Sequence, residues 1–384
     1  MNWAFDATTL LWALPLTFAL GWLASRLDVR QWRRSEQRAP KAYFRGLNFL
    51  LNEQQDQAID AFIEAVQHDP ETSELHFALG NLFRRRGDYD RAVRVHEHLL
   101  ARSDLSQADR HRAQHGLATD FLKAGLLDRA ESALRKLDGT QYATEAKLAL
   151  LSIFERSRDW AQAIDTAQQL EGAERGSFKG RSAHYHCELA AESLQLSQPE
   201  QAKQQLLAAQ AIAPRTPRPI IALANLHAAA GEHNKALELL LSLANTAPHV
   251  LPLIANQLVQ LGVDCHEQAS VLGVLRKADQ QAPSIDVTQA MAALEPAQKS
   301  ELFESHLARQ ASLSAVAQML AHDSNQAEAA QTVSEGMKKA IDKAASPLTR
   351  YRCAACGFEA KTYFWQCPGC QGWETFPARR VEEL

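Results

Sequence analysis

Residues 73–100 read SELHFALGNLFRRRGDYDRAVRVHEHLL, and this stretch decides the fold. Apolar residues recur at helical spacing on both sides of Gly87-Asp88, a turn signal between two amphipathic segments. Gly80 lies 34 residues after Gly46, and Ala92 lies 34 after Ala58. Small residues at those places let two antiparallel helices approach closely, and Pro70 ends the unit before. The stretch is therefore one copy of a repeated helix pair.

The spacing of Gly46, Ala58, Phe62, Ala65 and Pro70 is that of the tetratricopeptide repeat. Further units centre on Ala130 and Ala163, and the register is clean again where Ala236 follows Ala202 by 34 and Pro248 follows Pro214 by 34. Gly125, Arg158-Asp159 and Gly231-Glu232 stand at the corresponding turns. Six units are expected over residues 39–250. Residues 249–262 and 264–281 read as another apolar helix pair, and 285–344 as an alanine-rich stretch broken near Glu295-Pro296 and Asp323-Ser324. Residues 251–345 are thus expected to be degenerate repeats or a bundle capping the last apolar face. Without strand-like alternation or a long Gly/Pro-rich linker, the expected class is all-α, one continuous tetratricopeptide superhelix.

Outward from the repeats, the carboxyl-terminal segment 346–384 changes character. It holds four of the six cysteines, as Cys353-Ala-Ala-Cys356 and Cys367-Pro-Gly-Cys370, separated by ten residues. Two residues between paired thiolates let a tight turn aim both sulfurs at one ion, and two such turns complete a tetrahedron. Gly357 and Pro368-Gly369 suit those turns. Four soft ligands suit zinc or a single iron and leave no open coordination position, so the site reads as structural or redox. The knuckles look like those of rubredoxins, with a shortened spacer. Seven aromatics crowd residues 351–384, more than so small a ribbon can bury, so some are expected to dock on the rest of the chain. Four basic and four acidic residues there, and a net charge of −4 overall, give no footprint for nucleic acid.

At the other end, Ala7 to Ser25 are 19 uncharged residues, enough for a helix of about 28 Å. Residues 1–26 are expected to form a transmembrane signal anchor with Trp3 and Trp22 at the interfaces, and 27–38 a basic juxtamembrane segment. Arg26, Arg30, Arg33, Arg34, Arg38, Lys41 and Arg45 place everything after the anchor in the cytoplasm, with the amino terminus outside. A reducing cytosol also favours thiolate–metal binding over disulfides.

In a tetratricopeptide array the first helix of each unit lines a groove. The register puts Phe77, Asn81, Arg84, Arg85, Arg112, Lys123, Arg156, Arg218 and Asn225 on or beside it, with Glu74, Glu145 and Glu155. An excess of arginine there suits an acidic or carboxylate-bearing partner segment. The chain carries no phosphate-cradling Gly-rich loop, no H-E-x-x-H and no G-x-S-x-G, so no enzyme is expected. His184 and Cys187 share a helix face with His186 on another, which reads as a packed helix start. Cys265-His266 reads as a cap with a buried thiol.

An amino-terminal anchor, a tetratricopeptide array and the closing Tyr351-Arg-Cys353 … Cys356-Gly-Phe … Tyr363-Phe-Trp-Gln-Cys367-Pro … Cys370 pattern together resemble the lipopolysaccharide assembly protein B family. The resemblance covers the whole chain, and its most specific part is Tyr351 to Trp373. It implies a single-pass inner-membrane regulator of lipopolysaccharide synthesis, working with the membrane ATP-dependent metalloprotease that degrades the deacetylase committing precursors to lipid A. It implies an assembler of lipopolysaccharide-synthesis proteins, with a homodimer compatible, and Cys353, Cys356, Cys367 and Cys370 as the metal ligands. The competing reading of the same residues is a membrane-tethered electron-transfer or redox-sensing protein.

Overall fold

A computed structural model describes residues 15, 17–22, 38–69, 72–171, 176–323 and 331–384. Of the anchor expected at Ala7–Ser25, Pro15 and residues 17–22 are described and are helical; the remainder, and 27–37 of the basic segment, lie outside the described residues. Among the described residues no single helix is long and apolar enough to cross a membrane. Two compact units follow from the contacts, Met1–Arg158 and Asp159–Leu384.

In the first unit, helices α1 (Arg38–Leu51), α2 (Gln55–His68), α3 (Ser73–Arg86), α4 (Tyr89–Ala101), α5 (Gln107–Lys123), α6 (Leu127–Arg135) and α7 (Ala143–Ser157) succeed one another as antiparallel neighbours. The 34-residue spacing of small residues has a steric cause. A Cβ on Gly46 would come within 2.7 Å of the Phe62 ring, and one on Gly80 within 2.7 Å of the His96 ring. His96 lies 34 residues after Phe62 and takes the same seat. Being an imidazole, it needs a partner when buried. Asp120 on α5 provides it, 2.6 Å from His96 Nδ1, while the Arg84 guanidinium on α3 donates to the other Asp120 oxygen at 2.9 Å. The carboxylate is fully buried, so three helices meet on one charge.

The second unit holds α8 (Trp160–Glu171), α9 (Lys179–Gln195), α10 (Pro199–Ile212), α11 (Pro217–Ala229), α12 (His233–Thr246), α13 (Leu251–Asp264), α14 (Gln268–Gln281), α15 (Ile285–Leu294), α16 (Lys299–Arg309), α17 (Leu313–Asp323) and α18 (Gln331–Ala345). The bent pair α12 and α13 is apolar enough in sum to suggest a membrane span, but its Leu240, Leu243, Ile254 and Leu258 are core residues of the helical array. Strands β1 (Tyr351–Arg352) and β2 (Glu359–Ala360) pair antiparallel, with Tyr351 opposite Ala360 and Arg352 opposite Glu359.

One backbone device recurs at the turns within pairs of each unit, from α1/α2 to α5/α6 and from α9/α10 to α13/α14, and a positive φ also ends α7. Glu53, Gly87, Gly125, Arg158, Ser197, Gly231 and His266 all have positive φ, between 58° and 88°. At six of them the N–H donates three residues back and the next N–H five residues back, as from Gly87 to Arg84 and from Asp88 to Phe83. These paired bonds satisfy carbonyls that a helix end leaves open. Cys265, read as a cap with a buried thiol, is the residue closing α13, and its side chain is only half-buried. Side chains other than glycine are strained at these turns. Ser197→Gly is therefore expected to stabilise the second unit by roughly 0.5–1 kcal/mol, read as a higher denaturant midpoint at constant slope. An unchanged midpoint would mean that the turn is not under strain.

Candidate metal centre

The carboxyl-terminal ribbon is built from two turns with one hydrogen-bond plan. In the first, Gly357 N–H donates to Cys353 O and Cys353 N–H to Phe358 O. In the second, Gln371 N–H donates to Cys367 O and Cys367 N–H to Gly372 O. Both turns need a residue of positive φ after the second cysteine. Gly357 supplies it at 77°, and Gln371, rather than Gly369, supplies it at 59°.

The two turns face each other. Cys353 Sγ lies 3.8 Å from Cys370 Sγ and Cys356 Sγ 3.6 Å from Cys367 Sγ, with all four sulfurs within 4.8 Å of one another. A metal–sulfur bond of about 2.3 Å implies a tetrahedral edge of about 3.8 Å, so the set fits one zinc or iron ion. Cys353 and Cys367 are buried, whereas Cys356 and Cys370 face solvent. Burial opposes ionisation of Cys353, but Thr375 Oγ1 at 3.2 Å and the N–H groups of Cys356 and Ala355 outweigh it and hold the thiol at about 6. The Phe358 N–H favours the Cys356 thiolate, yet desolvation and the three neighbouring sulfurs push that thiol up to about 12. Four thiolates this close need a cation to coexist.

The expected aromatic docking is present within the second unit. Trp373 stacks on His184 of α9 at 4.7 Å between centroids and meets Tyr185 and Trp160 edge-on at 5.8 and 6.3 Å. His184 Nε2 lies 3.0 Å from Glu374 Oε1, and Arg218 Nη1 lies 3.5 Å from His184 Nδ1. A neutral imidazole donating from Nε2 and accepting at Nδ1 satisfies both contacts. Consistently, burial lowers the His184 pKa, and the hydrogen bond from His184 lowers that of Glu374. His184 thus does more than pack a helix start. Cys187, one turn on, is a core residue whose thiol burial raises to about 12, and His186 turns away to Gln205.

A second attachment was not legible in the sequence. Arg380 donates to both carboxylate oxygens of Asp286 at 2.8 and 2.9 Å and lies 4.2 Å over the Tyr351 ring. Glu383 accepts from the N–H of Ile285 at 2.5 Å, and Glu382 accepts from Ser312 Oγ and the N–H of Ser314 at 3.1 and 3.3 Å. The starts of α15 and α17 are therefore capped from residues far along the chain. The clue was negative: neither Ser284 nor Ser312 has the Glu or Gln three residues on that completes a local capping box.

The residues assigned to a groove are not one set. In the first unit Phe77 is in the core, roofed by the Arg112 guanidinium at 4.1 Å, and Arg112 pairs with Glu74 at 2.6 Å. Arg84 is held by Asp120 and also donates to Asn81. Glu155 is buried, and Glu145 lies 3.6 Å from His115. Arg85, Lys123 and Arg156 are exposed. In the second unit Arg218 pairs with Glu188 at 2.5 Å and lies over Trp373 at 5.8 Å, and Asn225 accepts from Gln257. Much of the apparent arginine excess is thus neutralised within the protein.

Residues 351–377 match the family model described as rubredoxin metal binding domain, and residues 75–110 match a tetratricopeptide repeat model. Over 385 aligned residues the chain is 31% identical to lipopolysaccharide assembly protein B of Escherichia coli (strain K12), covering 97% of this chain and 98% of that one. The chain belongs to the lipopolysaccharide assembly protein B family. The family member of Haemophilus influenzae is 26% identical, over 94% of this chain and 96% of its own. The family match spans repeats and ribbon alike, and the four cysteines of the ribbon form a site able to bind one metal ion, zinc or iron.

Proposed function

We propose that this protein is a non-catalytic adaptor that regulates lipopolysaccharide assembly from the inner membrane. The uncharged run at Ala7–Ser25 serves as a single-pass anchor with the amino terminus periplasmic, and the rest is cytoplasmic. The repeats of residues 39–250 bind partner proteins, residues 251–345 cap them, and the ribbon from 346 locks the end. Exposed Arg85, Lys123 and Arg156 are the groove residues left to meet an acidic partner segment. Cys353, Cys356, Cys367 and Cys370 hold one ion in a structural role. The single observation that carries this reading is the near full-length 31% identity to a protein named for lipopolysaccharide assembly. The closed thiolate set, clamped to the array through Trp373, supports the structural role. The partners proposed are the membrane ATP-dependent metalloprotease and lipopolysaccharide-synthesis proteins, with control of deacetylase proteolysis as the regulatory output.

The test is crosslinking in native membranes, comparing the full chain with a variant lacking residues 351–384. Recovery of the protease or of lipopolysaccharide-synthesis proteins, weakened by the deletion, is expected; recovery of electron-transfer proteins alone would overturn the reading. The exposure of Cys356 and Cys370 favours one alternative, an electron-transfer or redox-sensing centre. That alternative requires iron with a reversible one-electron couple, so protein from the native host containing only zinc would eliminate electron transfer.

A further inference from the structure

Beside the first metal turn lies a surface cleft of about 790 Å³, within the second unit. Its walls are the start of α11 at Arg215, the turn between the first two metal ligands, and the stretch that follows Glu374. Tyr363, Trp365 and Phe376 line it with aromatic surface, and Pro217 and Pro377 add rigid surface without N–H donors. Such a cleft offers little to a compact polar ligand and suits an extended chain with an apolar side chain.

Charge narrows the occupant further. Glu374 is the one carboxylate among the lining residues; the neutral His184 donates to it without cancelling its charge, so an acidic ligand group is kept from that wall and directed to Arg215. Arg215 is exposed at the rim. The helix start itself cannot replace Arg215 as an anion binder, because Pro217 and Pro219 remove two N–H donors from the first turn of α11. We propose that the cleft seats an extended peptide segment of a partner protein, with an apolar side chain against Trp365 and Phe376 and a carboxylate on Arg215.

The metal centre shares a wall with this site. Ala354 N–H donates to Thr375 O, and Thr375 Oγ1 lies 3.2 Å from Cys353 Sγ. A bound segment therefore touches groups that also surround the ion. By linkage, whatever factor metal loading adds to peptide affinity, the peptide adds to metal affinity.

The assignment rests on the adaptor reading only in taking the ligand to be a protein segment. The probe is a random 12-residue phage-displayed library selected on full-length, metal-loaded protein in detergent, with Thr216→Trp, which narrows the cleft from the start of α11 and away from the metal turns, as counter-selection. Selected sequences are expected to carry an acidic residue near a large apolar one. A synthetic peptide of that sequence should lose about tenfold in affinity on Arg215→Glu and regain it when its acidic residue becomes lysine. Metal content and circular dichroism of both variants establish that they remain folded. No enrichment over the counter-selection would overturn the proposal, as would peptides that bind the wild type and Arg215→Glu equally. Failure of the adaptor reading appears separately, as no lipopolysaccharide-related partner recovered from membranes with wild-type protein.

Discussion

Cys353→Ser is expected to yield protein that purifies with little bound metal and with a ribbon open to protease, while the helical array stays folded. The size of the effect follows from how little else holds the ribbon together. Within the ribbon the sheet is one pair of two-residue strands and the apolar cluster is small, built on Tyr351, Phe376 and the two buried cysteines themselves, so that apart from its docking contacts through Trp373, Arg380, Glu382 and Glu383 its order lies in turns around the four sulfurs. Structural zinc sites contribute about 10–16 kcal/mol in isolated peptides at neutral pH, far more than such strands supply. Loss of a buried thiolate should remove most of that binding energy. Cys187→Ser is the control, since Cys187 is a core residue of the array and should leave metal content unchanged. Metal analysis with limited proteolysis and mass spectrometry reads both variants. Full metal content in Cys353→Ser, with no new cleavage beyond residue 345, would end the structural account of the site.

Asp120→Ala should be the most damaging single change in the first unit, costing about 3–5 kcal/mol of stability. The substitution leaves the buried His96 ring without a partner and takes the carboxylate from Arg84, which keeps only the neutral acceptors Gly116 O and Asn81. His96 cannot move aside easily, because the backbones of Gly80 and Gly116 close on it from two helices; a Cβ at either would sit 2.7 or 2.6 Å from the ring. A compensating change follows from the repeat. Phe62 occupies the equivalent seat over Gly46 without any polar network. His96→Phe combined with Asp120→Ala should therefore recover a large part of the loss, measured by chemical denaturation of the wild type and both variants. If the double variant is no more stable than Asp120→Ala alone, buried imidazole desolvation is not the dominant cost.

The repeat and the metal ligands were legible because each is a short-range pattern with a steric or coordination cause. A glycine facing an aromatic ring, or two thiols with two residues between them, leaves the same mark wherever it occurs. The common turn was legible only in part. Gly87, Gly125 and Gly231 announce a positive φ, whereas Glu53, Ser197 and His266 hold the same conformation without a residue that favours it. Partner-facing residues were harder still. Arg84 and Arg218 sit at groove positions by register, but Asp120 and Glu188, 36 and 30 residues away, neutralise them. Periodicity tells which helix face a residue occupies and nothing about the charge that arrives opposite it. The docking of Trp373 was foreseen as an excess of aromatic surface, while its seat on His184 required the fold.

The contacts of Glu382 and Glu383 bear on the order in which the second unit forms. Helix pairs assemble from near neighbours, whereas Glu383 reaches the start of α15 across 98 residues and Glu382 reaches Ser314 across 68. Closure of such distant contacts is entropically slow and comes after local helices have paired. Interactions made after the folding barrier act on the unfolding rate. Weakening this tail should thus leave refolding speed nearly untouched and shorten the lifetime of the folded state, making the last few residues a timer for how long the metal ribbon stays seated.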